Sequence, residues 1–226
     1  MSLMSRLKLT RWRLAGVAFI AAMIACLPAY LSAYTVSGTS DAPTLLLGDR
    51  VLVNRAAYDL RAPYSNIRLA RVGTPRRGDL VVVLMPKRRP LGLKRVVGVS
   101  GDRVEMRENR LYVNGHQVPQ KLLKRDDFNG VSSAHGLGTV VAAERSGGEY
   151  RVTYTPGRSP LRTFEPVTVP TDCVFLLGDN RDNSKDSRTI GPIGRDLIAG
   201  KVVRIMPARR PSRPAVRPEL RSLRRV

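Results

Sequence analysis

The sequence predicts a mostly β protein: an antiparallel β-sheet domain with a small inserted β-subdomain, carried behind one N-terminal transmembrane helix. Three observations lead there. Leu14 to Tyr34 runs without a charged residue, long enough to cross a hydrocarbon core of about 30 Å. Beyond it, short valine- and leucine-rich runs recur between Gly-Asp and Asn-Gly pairs, which is how strands and hairpin turns alternate. No long soluble stretch carries a helical apolar period.

Taken in order, residues 1–13 form a basic N-terminus with Arg6, Lys8, Arg11 and Arg13, and no acidic residue precedes Asp41. That bias keeps the N-terminus in the cytoplasm and puts everything after Tyr34 outside. Residues 14–34 are the anchor, with Trp12, Tyr30 and Tyr34 near the interfaces. A cleavable signal peptide is the rival, with Leu31-Ser32-Ala33 as a loose small-residue site. The apolar run exceeds an h-region of about 7–15 residues and Leu31 fits A-x-A poorly, so the retained anchor is the reading. Pro28 kinks the helix without ending it.

A β core is expected over 35–116 and 172–207. Val36 to Leu45 is a hydroxyl-rich loop at the membrane surface, and Gly48-Asp49 turns into the strand Arg50–Asn54. Residues 55–77 read as a polar connection. Arg77-Gly78-Asp79 feeds a continuous apolar strand, Leu80–Leu84, and residues 86–90 form a basic tip. Leu91–Val99 is a second strand with Lys94 and Arg95 in its middle. Arg103–Met106 and Arg110–Val113 follow, and Asn114-Gly115 signals a type I′ turn. Residues 117–171 are weaker in pattern and read as the inserted, less essential subdomain, with Phe164–Val169 returning to the core. Lys201–Met206 is the last strand. The tail 208–226 alternates proline with arginine and reads as disordered.

Charge and rare residues exclude whole classes. The 226 residues carry 39 Lys and Arg against 18 Asp and Glu, a net +21 and a pI near 11.2. Such a balance points to nucleic acid or to an anionic membrane surface. Aromatics are only 5% and are not interleaved with the basic residues, as a base-stacking platform requires. A nucleic-acid adaptor is therefore set aside, and anionic lipid headgroups account for the charge. Cys26 lies in the apolar run and does not pair with Cys173. With two histidines and no cysteine cluster, a zinc site is not expected.

The densest chemistry lies at Leu176 to Arg188, where a buried strand opens into Gly178-Asp179-Asn180-Arg181-Asp182-Asn183-Ser184-Lys185-Asp186-Ser187-Arg188. Alternating carboxylates and guanidiniums can pair and fix such a loop, and loops set on apolar strands commonly present catalytic groups. Peptide hydrolysis needs a nucleophile, a base and oxyanion donors. His116 at a hairpin turn and His135 in a glycine-rich stretch are poor bases, which leaves lysine. An ordinary lysine, with a pKa of about 10.4, is no base at neutral pH, and a dry setting is what lowers it. Lys94, between Leu93 and Val96-Val97, is the lysine whose neighbours suit that role; the alternative is a side chain pointing to solvent.

Ser40-x-x-Pro43-Thr44-Leu45, Gly48-Asp49, Arg77-Gly78-Asp79, Lys94-Arg95-Val96-Val97-Gly98, Gly101-Asp102 and the 178–188 run together resemble bacterial type I signal peptidases, a serine–lysine family. The resemblance covers 36–115 and 172–205. It implies Ser40 as nucleophile, Lys94 as general base, Ser184 as the serine bonded to the lysine, and Asp186 with Arg188 as the ion pair bracing the loop. It implies Val36, Asp41, Leu45 and Leu93 at the pocket for small substrate residues. It also implies a cofactor-free endopeptidase on the outer face of the bacterial inner membrane, cleaving signal peptides from exported preproteins. Oligomeric state is left open. Two positions depart from the pattern. Gly38 stands where many members place an oxyanion hydroxyl, leaving Thr39 or Ser37 as substitutes. Asp41 stands where methionine is usual, and it either holds Lys94 charged or points outward and reshapes the pocket. A low-activity relative, or a specialised peptidase for pilus or conjugation substrates, are the alternatives this opens.

Overall fold

The computed structural model describes residues 3–65, 67–84, 91–123, 139–157, 160–208 and 224–225. Its first element, α1 (Leu3–Tyr30), leads directly into strand β1 (Leu31–Thr35). The apolar segment Arg13–Tyr30 has a mean hydropathy of 1.7 and is the one stretch among the described residues long and apolar enough to cross a membrane. Both limits of the expected anchor need correction. Residues 3–13 continue the same helix. At the other end Leu31–Tyr34 leave it, because Ser32 and Tyr34 turn inward in alternation and β1 pairs along its whole length with β2 (Arg50–Asn54). The helix runs on through Pro28, whose carbonyl accepts a bond from Ser32 Oγ at 3.2 Å.

The segment expected to be a plain connection holds a hairpin, β3 (Asp59–Arg61) with β4 (Arg68–Arg71). It leans on the helix: Tyr30 Oη donates to Arg61 O at 2.9 Å and Tyr64 Oη donates to Ala25 O. Next come β5 (Leu80–Leu84), β6 (Leu91–Val99), β7 (Arg103–Arg107), β8 (Arg110–Val113) and β9 (His116–Gln117). Asn114 and Gly115, at φ 55° and 79°, form the expected turn, between β8 and β9. The basic tip at 86–90 lies outside the described residues.

Residues 117–171 do not form one separate unit. β10 (Gln120–Leu122), β11 (Val140–Arg145) and β12 (Glu149–Tyr154) make a three-stranded sheet, but β13 (Phe164–Thr168) pairs with β7 in a sheet ordered β13-β7-β8-β9. Phe164 stacks on Phe175 with ring centroids 5.6 Å apart, closing an apolar cluster with Val97, Met106, Leu111 and Leu177. The split has a plain cause: β10, β11 and β12 pair among themselves, whereas β13 takes its partner, β7, from the core.

The chain then runs through β14 (Cys173–Leu177), the short helix α2 (Ser187–Ile190), β15 (Ile193–Gly194), β16 (Ile198–Met206) and β17 (Arg224–Arg225). The main sheet is antiparallel in the order β15-β14-β6-β5-β16-β2-β1-β17. Arg224 and Arg225 pair with Thr35 and Tyr34, so the end of the tail is a strand; 209–223 lie outside the described residues. This order sets β6, with Lys94, between β5 and β14, where both flanks are hydrogen-bonded and valine-lined.

Candidate active site

Lys94 sits in the middle of β6 and is 4% exposed. Its Nζ donates to Leu93 O at 2.6 Å and to Ser40 Oγ at 2.9 Å. A chain separation of 54 residues is thus closed to one hydrogen bond, between a strand of the central sheet and the loop that follows β1. Cys26 and Cys173 are both free. His116 is exposed and its Nδ1 lies 3.0 Å from Asn114 O; His135 is outside the described residues.

The nucleophile's loop is tied down by the run after β14. Asn180 N–H donates to Ser40 O at 2.9 Å, Asn180 Nδ2 to Thr39 O at 3.1 Å, and Asn183 Nδ2 to Thr39 Oγ1 at 2.9 Å. A Cβ on Gly178 would stand 2.5 Å from Ser40 O and 2.2 Å from Ser184 Oγ, so only glycine lets the two loops meet this closely. Thr39 Oγ1 accepts from Asn183, whereas Ser37 Oγ is buried without a partner among the described residues.

Asp186 and Arg188 form the expected ion pair, with Nη2 to Oδ2 and Nε to Oδ1 both at 2.9 Å and neither side chain exposed. Asp186 also takes the Gly178 N–H at 2.9 Å and caps α2. Burial pushes its carboxyl up, but the hydrogen bonds and charge of Arg188 outweigh that and hold it below the usual carboxylate range. Ser184 is the correction. Its Oγ is buried and turns toward Asp186, where it helps to hold that carboxyl low. The lysine bonds it was expected to make go instead to Ser40 and Leu93.

Val36, Leu45 and Leu93 fall in one apolar cluster with Tyr34, Val51 and Val53. Leu45 is wholly buried and acts as core beneath the Ser40 loop, not as an open wall. Asp41 turns inward: it is 4% exposed and its Oδ2 accepts the Ser40 hydroxyl at 2.6 Å. Burial raises its pKa most; the Lys94 charge opposes and Asp179 adds, leaving it at about 6.

That shift has a sign that can be tested. The folded state binds the Asp41 proton more tightly than an ordinary carboxylate of model value 3.8. Protonated Asp41 therefore contributes stability that is fully present below about pH 4 and lost as pH rises through about 6. At pH 7 the ionised group costs about 3 kcal/mol, taking about 1.4 kcal/mol per pH unit. Asp41→Asn is expected to raise the thermal midpoint at pH 7 and to change it less at pH 4. A variant less stable than the native protein at pH 7 would show that the carboxylate is held by more than its bond to Ser40.

Several braces were not read from the sequence. Arg95, beside Lys94, grips Asp179 through Nε–Oδ1 at 2.9 Å and Nη2–Oδ2 at 2.6 Å, with its guanidinium carbon 4.3 Å from the Tyr150 ring centre. Thr44 Oγ1 donates to Asp179 Oδ2 at 2.5 Å, and its place in Ser40-x-x-Pro43-Thr44 was the available signal. Arg181 Nη2 donates to Glu144 Oε2 at 2.5 Å, both side chains 1% exposed. Nothing in the run Val140–Arg145 marked Glu144. A cleft of about 630 Å³ lined by Thr44, Arg95, Tyr150, Arg151, Lys201 and Arg204 lies behind these braces; neither Ser40 nor Lys94 lines it.

A family model described as signal peptidase, peptidase S26, matches residues 9–206. A protein named signal peptidase I from Pseudomonas aeruginosa is 36% identical over 159 residues, covering 69% of this chain and 54% of its own length. Signal peptidase IB of Staphylococcus aureus (strain COL) is 34% identical over 169 residues, 75% of this chain and 74% of that protein. The chain thus spans about half the length of the Pseudomonas relatives it matches. Among solved structures, a signal peptidase I from Enterococcus faecalis aligns over 58% of this chain and 99% of its own at 25% identity, with a TM-score of 0.36.

Proposed function

The chain belongs to the signal peptidase family, peptidase S26, and from that premise we propose that it is a membrane-anchored serine endopeptidase cleaving signal peptides from exported preproteins, with Ser40 as nucleophile and Lys94 as general base. The observation that carries this reading is the buried Lys94 amine 2.9 Å from Ser40 Oγ. A neutral amine there takes the hydroxyl proton as Oγ attacks the scissile carbonyl. The Ser40 N–H is the first oxyanion donor, and Ser37 Oγ, buried without a partner among the described residues, is the free hydroxyl that stands in for the one Gly38 lacks. Lys94 then protonates the leaving amine and activates the water that frees the acyl-enzyme.

Anchoring is part of the proposal. The side chains of Leu14, Phe19, Met23 and Leu27 on the helix are exposed, and Tyr64, Ile67, Leu69 and Val72 on the adjoining hairpin are exposed beside it. Contiguous apolar surface of this kind suits acyl chains better than water. With Arg13 and the basic residues before it on the cytoplasmic side, the Ser40 loop stands just outside the bacterial inner membrane, where a membrane-embedded signal peptide ends. The test is to incubate the detergent-solubilised chain with an exported preprotein and sequence the new N-terminus. A single cut behind small residues is expected; no Ser40-dependent cut at any pH removes the reading.

A further inference from the structure

A carboxylate in direct contact with the nucleophile is a feature the serine–lysine reading does not use. Asp41 Oδ2 accepts the Ser40 hydroxyl at 2.6 Å, Lys94 Nζ donates to Ser40 Oγ at 2.9 Å, and Asp41 Oδ1 is buried without a hydrogen bond among the described residues. The charged groups around it are Lys94 and Arg95 from β6 and Asp179 from the loop after β14. Arg95 is taken: Asp179 holds it through two bonds and Gly78 O through a third at 2.8 Å. Ammonium, hydroxyl and carboxylate therefore form one continuous hydrogen-bonded line, closed to further neutralisation.

We propose that Asp41 is a third catalytic residue of this site: Asp41 and Lys94 share one proton through the Ser40 hydroxyl, and Asp41 takes it when Lys94 must be a neutral amine. The inference rests on the roles given to Ser40 and Lys94 above. The step balances without an outside partner. Ser40 Oγ–H breaks as its proton passes to Asp41 Oδ2, while one Lys94 N–H breaks and its proton passes to Oγ. Carboxylate and ammonium become carboxylic acid and amine, with charge and proton count unchanged. Ser40 keeps a hydroxyl, now directed at the Nζ lone pair. As Oγ bonds to the scissile carbon, the carbonyl π pair moves to oxygen and the Ser40 proton goes to Lys94. After deacylation Asp41 returns its proton by the same path.

Substrate binding drives the transfer in the right direction. A bound peptide excludes water, and a buried ion pair loses more solvation than the neutral pair it can become. Without Asp41 the line has no internal acceptor, and the proton must leave through water that the bound peptide excludes. A carboxyl poised at about 6 is ionised at neutral pH, so the line holds one proton to share before the peptide binds. Below that pH the line carries a second proton, and the ammonium has no acceptor.

The experiment is a pH–rate profile from pH 5 to 10 for cleavage of a preprotein by the full detergent-solubilised chain, comparing the native protein with Asp41→Asn and Asp41→Met. The native rate is expected to fall as pH drops through about 6 and to be nearly level above it. Both variants are expected to lose at least about tenfold at pH 7 and to recover toward the native rate at the alkaline end. Thermal midpoints establish that both are folded. Three results overturn the proposal: a native-shaped profile in either variant, a faster variant at pH 7, or an equal loss at every pH, which is what a merely structural pocket residue gives. Failure of the Ser40–Lys94 reading looks different, because the native chain then shows no cleavage that depends on both residues.

Discussion

Lys94→Arg abolishes preprotein cleavage as completely as Ser40→Ala; this is the largest effect expected of any single change. The space is the first reason. Lys94 is 4% exposed and its Nζ is confined between Leu93 O at 2.6 Å and Ser40 Oγ at 2.9 Å, so a planar five-donor fork does not fit the position of one nitrogen. Chemistry is the second. A guanidinium does not give up its proton in a protein, whereas the proposed base needs a lone pair. Groups that act as a unit lose activity together, by about 10⁴-fold or more, so Ser40→Ala, Lys94→Ala and the double variant should be equally inactive. The assay is N-terminal sequencing and densitometry of the cleaved preprotein. An Arg variant that keeps a measurable share of the native rate would show that only positive charge is needed at 94, and the base would have to be sought at Asp41. For Ser40→Ala folding is not the confounder, since Ser40 is a partly exposed loop residue whose truncation leaves the sheet untouched. For Lys94→Arg and Lys94→Ala, at a buried strand position, an unchanged thermal midpoint establishes that the variant is folded.

The strands and the motif spacing were legible because both are local. Leu80–Leu84 and Leu91–Val99 appear with the predicted limits, and Ser40 and Lys94, the two residues the motifs singled out, lie one hydrogen bond apart. What was not legible depends on which partner a residue finds. Leu31–Tyr34 is as free of charge as the apolar run before it, and the pairing of β1 with β2 is what makes it a strand. Asp41 had two readings at sequence level, inward and outward, and the choice is made by Ser40 and Lys94, one of them 53 residues away in the chain. Ser184 fits the motif yet stacks over Gly178 without reaching the lysine. Residues 117–171 read as dispensable because their strands are weak alone. That weakness hid a charge buried on purpose to hold another element.

That charge is Glu144, and its removal is expected to be the most damaging change away from the dyad. Glu144 on β11 is 1% exposed, and its Oε2 takes Arg181 Nη2 at 2.5 Å while Oε1 takes Gln120 Nε2 at 3.2 Å. Arg181 is also 1% exposed, and its Nε and Nη1 have no hydrogen-bond partner among the described residues. Glu144→Ala therefore strands a guanidinium in a dry site, a loss of about 3–5 kcal/mol when one member of a buried pair is removed. Against a typical total of about 5–15 kcal/mol that is about a fifth of the stability or more. The effect does not stay local. Arg181 is two residues from Asp179 and next to Asn180, whose N–H holds Ser40 O; Arg181 O takes Arg188 Nη1 at 2.8 Å, and its N–H binds Thr153 O at 2.8 Å. Movement of Arg181 toward water pulls the whole 178–188 run off the nucleophile's loop, so cleavage should fall together with the thermal midpoint. Adding Arg181→Met to Glu144→Ala separates the causes. If the stranded charge is what hurts, the double variant regains most of the lost stability, since an apolar pair of similar volume is tolerated where an unpaired ion is not. If the double variant is no better than Glu144→Ala, the carboxylate is needed for its bond to Gln120 and the packing of the three-stranded sheet, and the brace runs through β10 instead of Arg181.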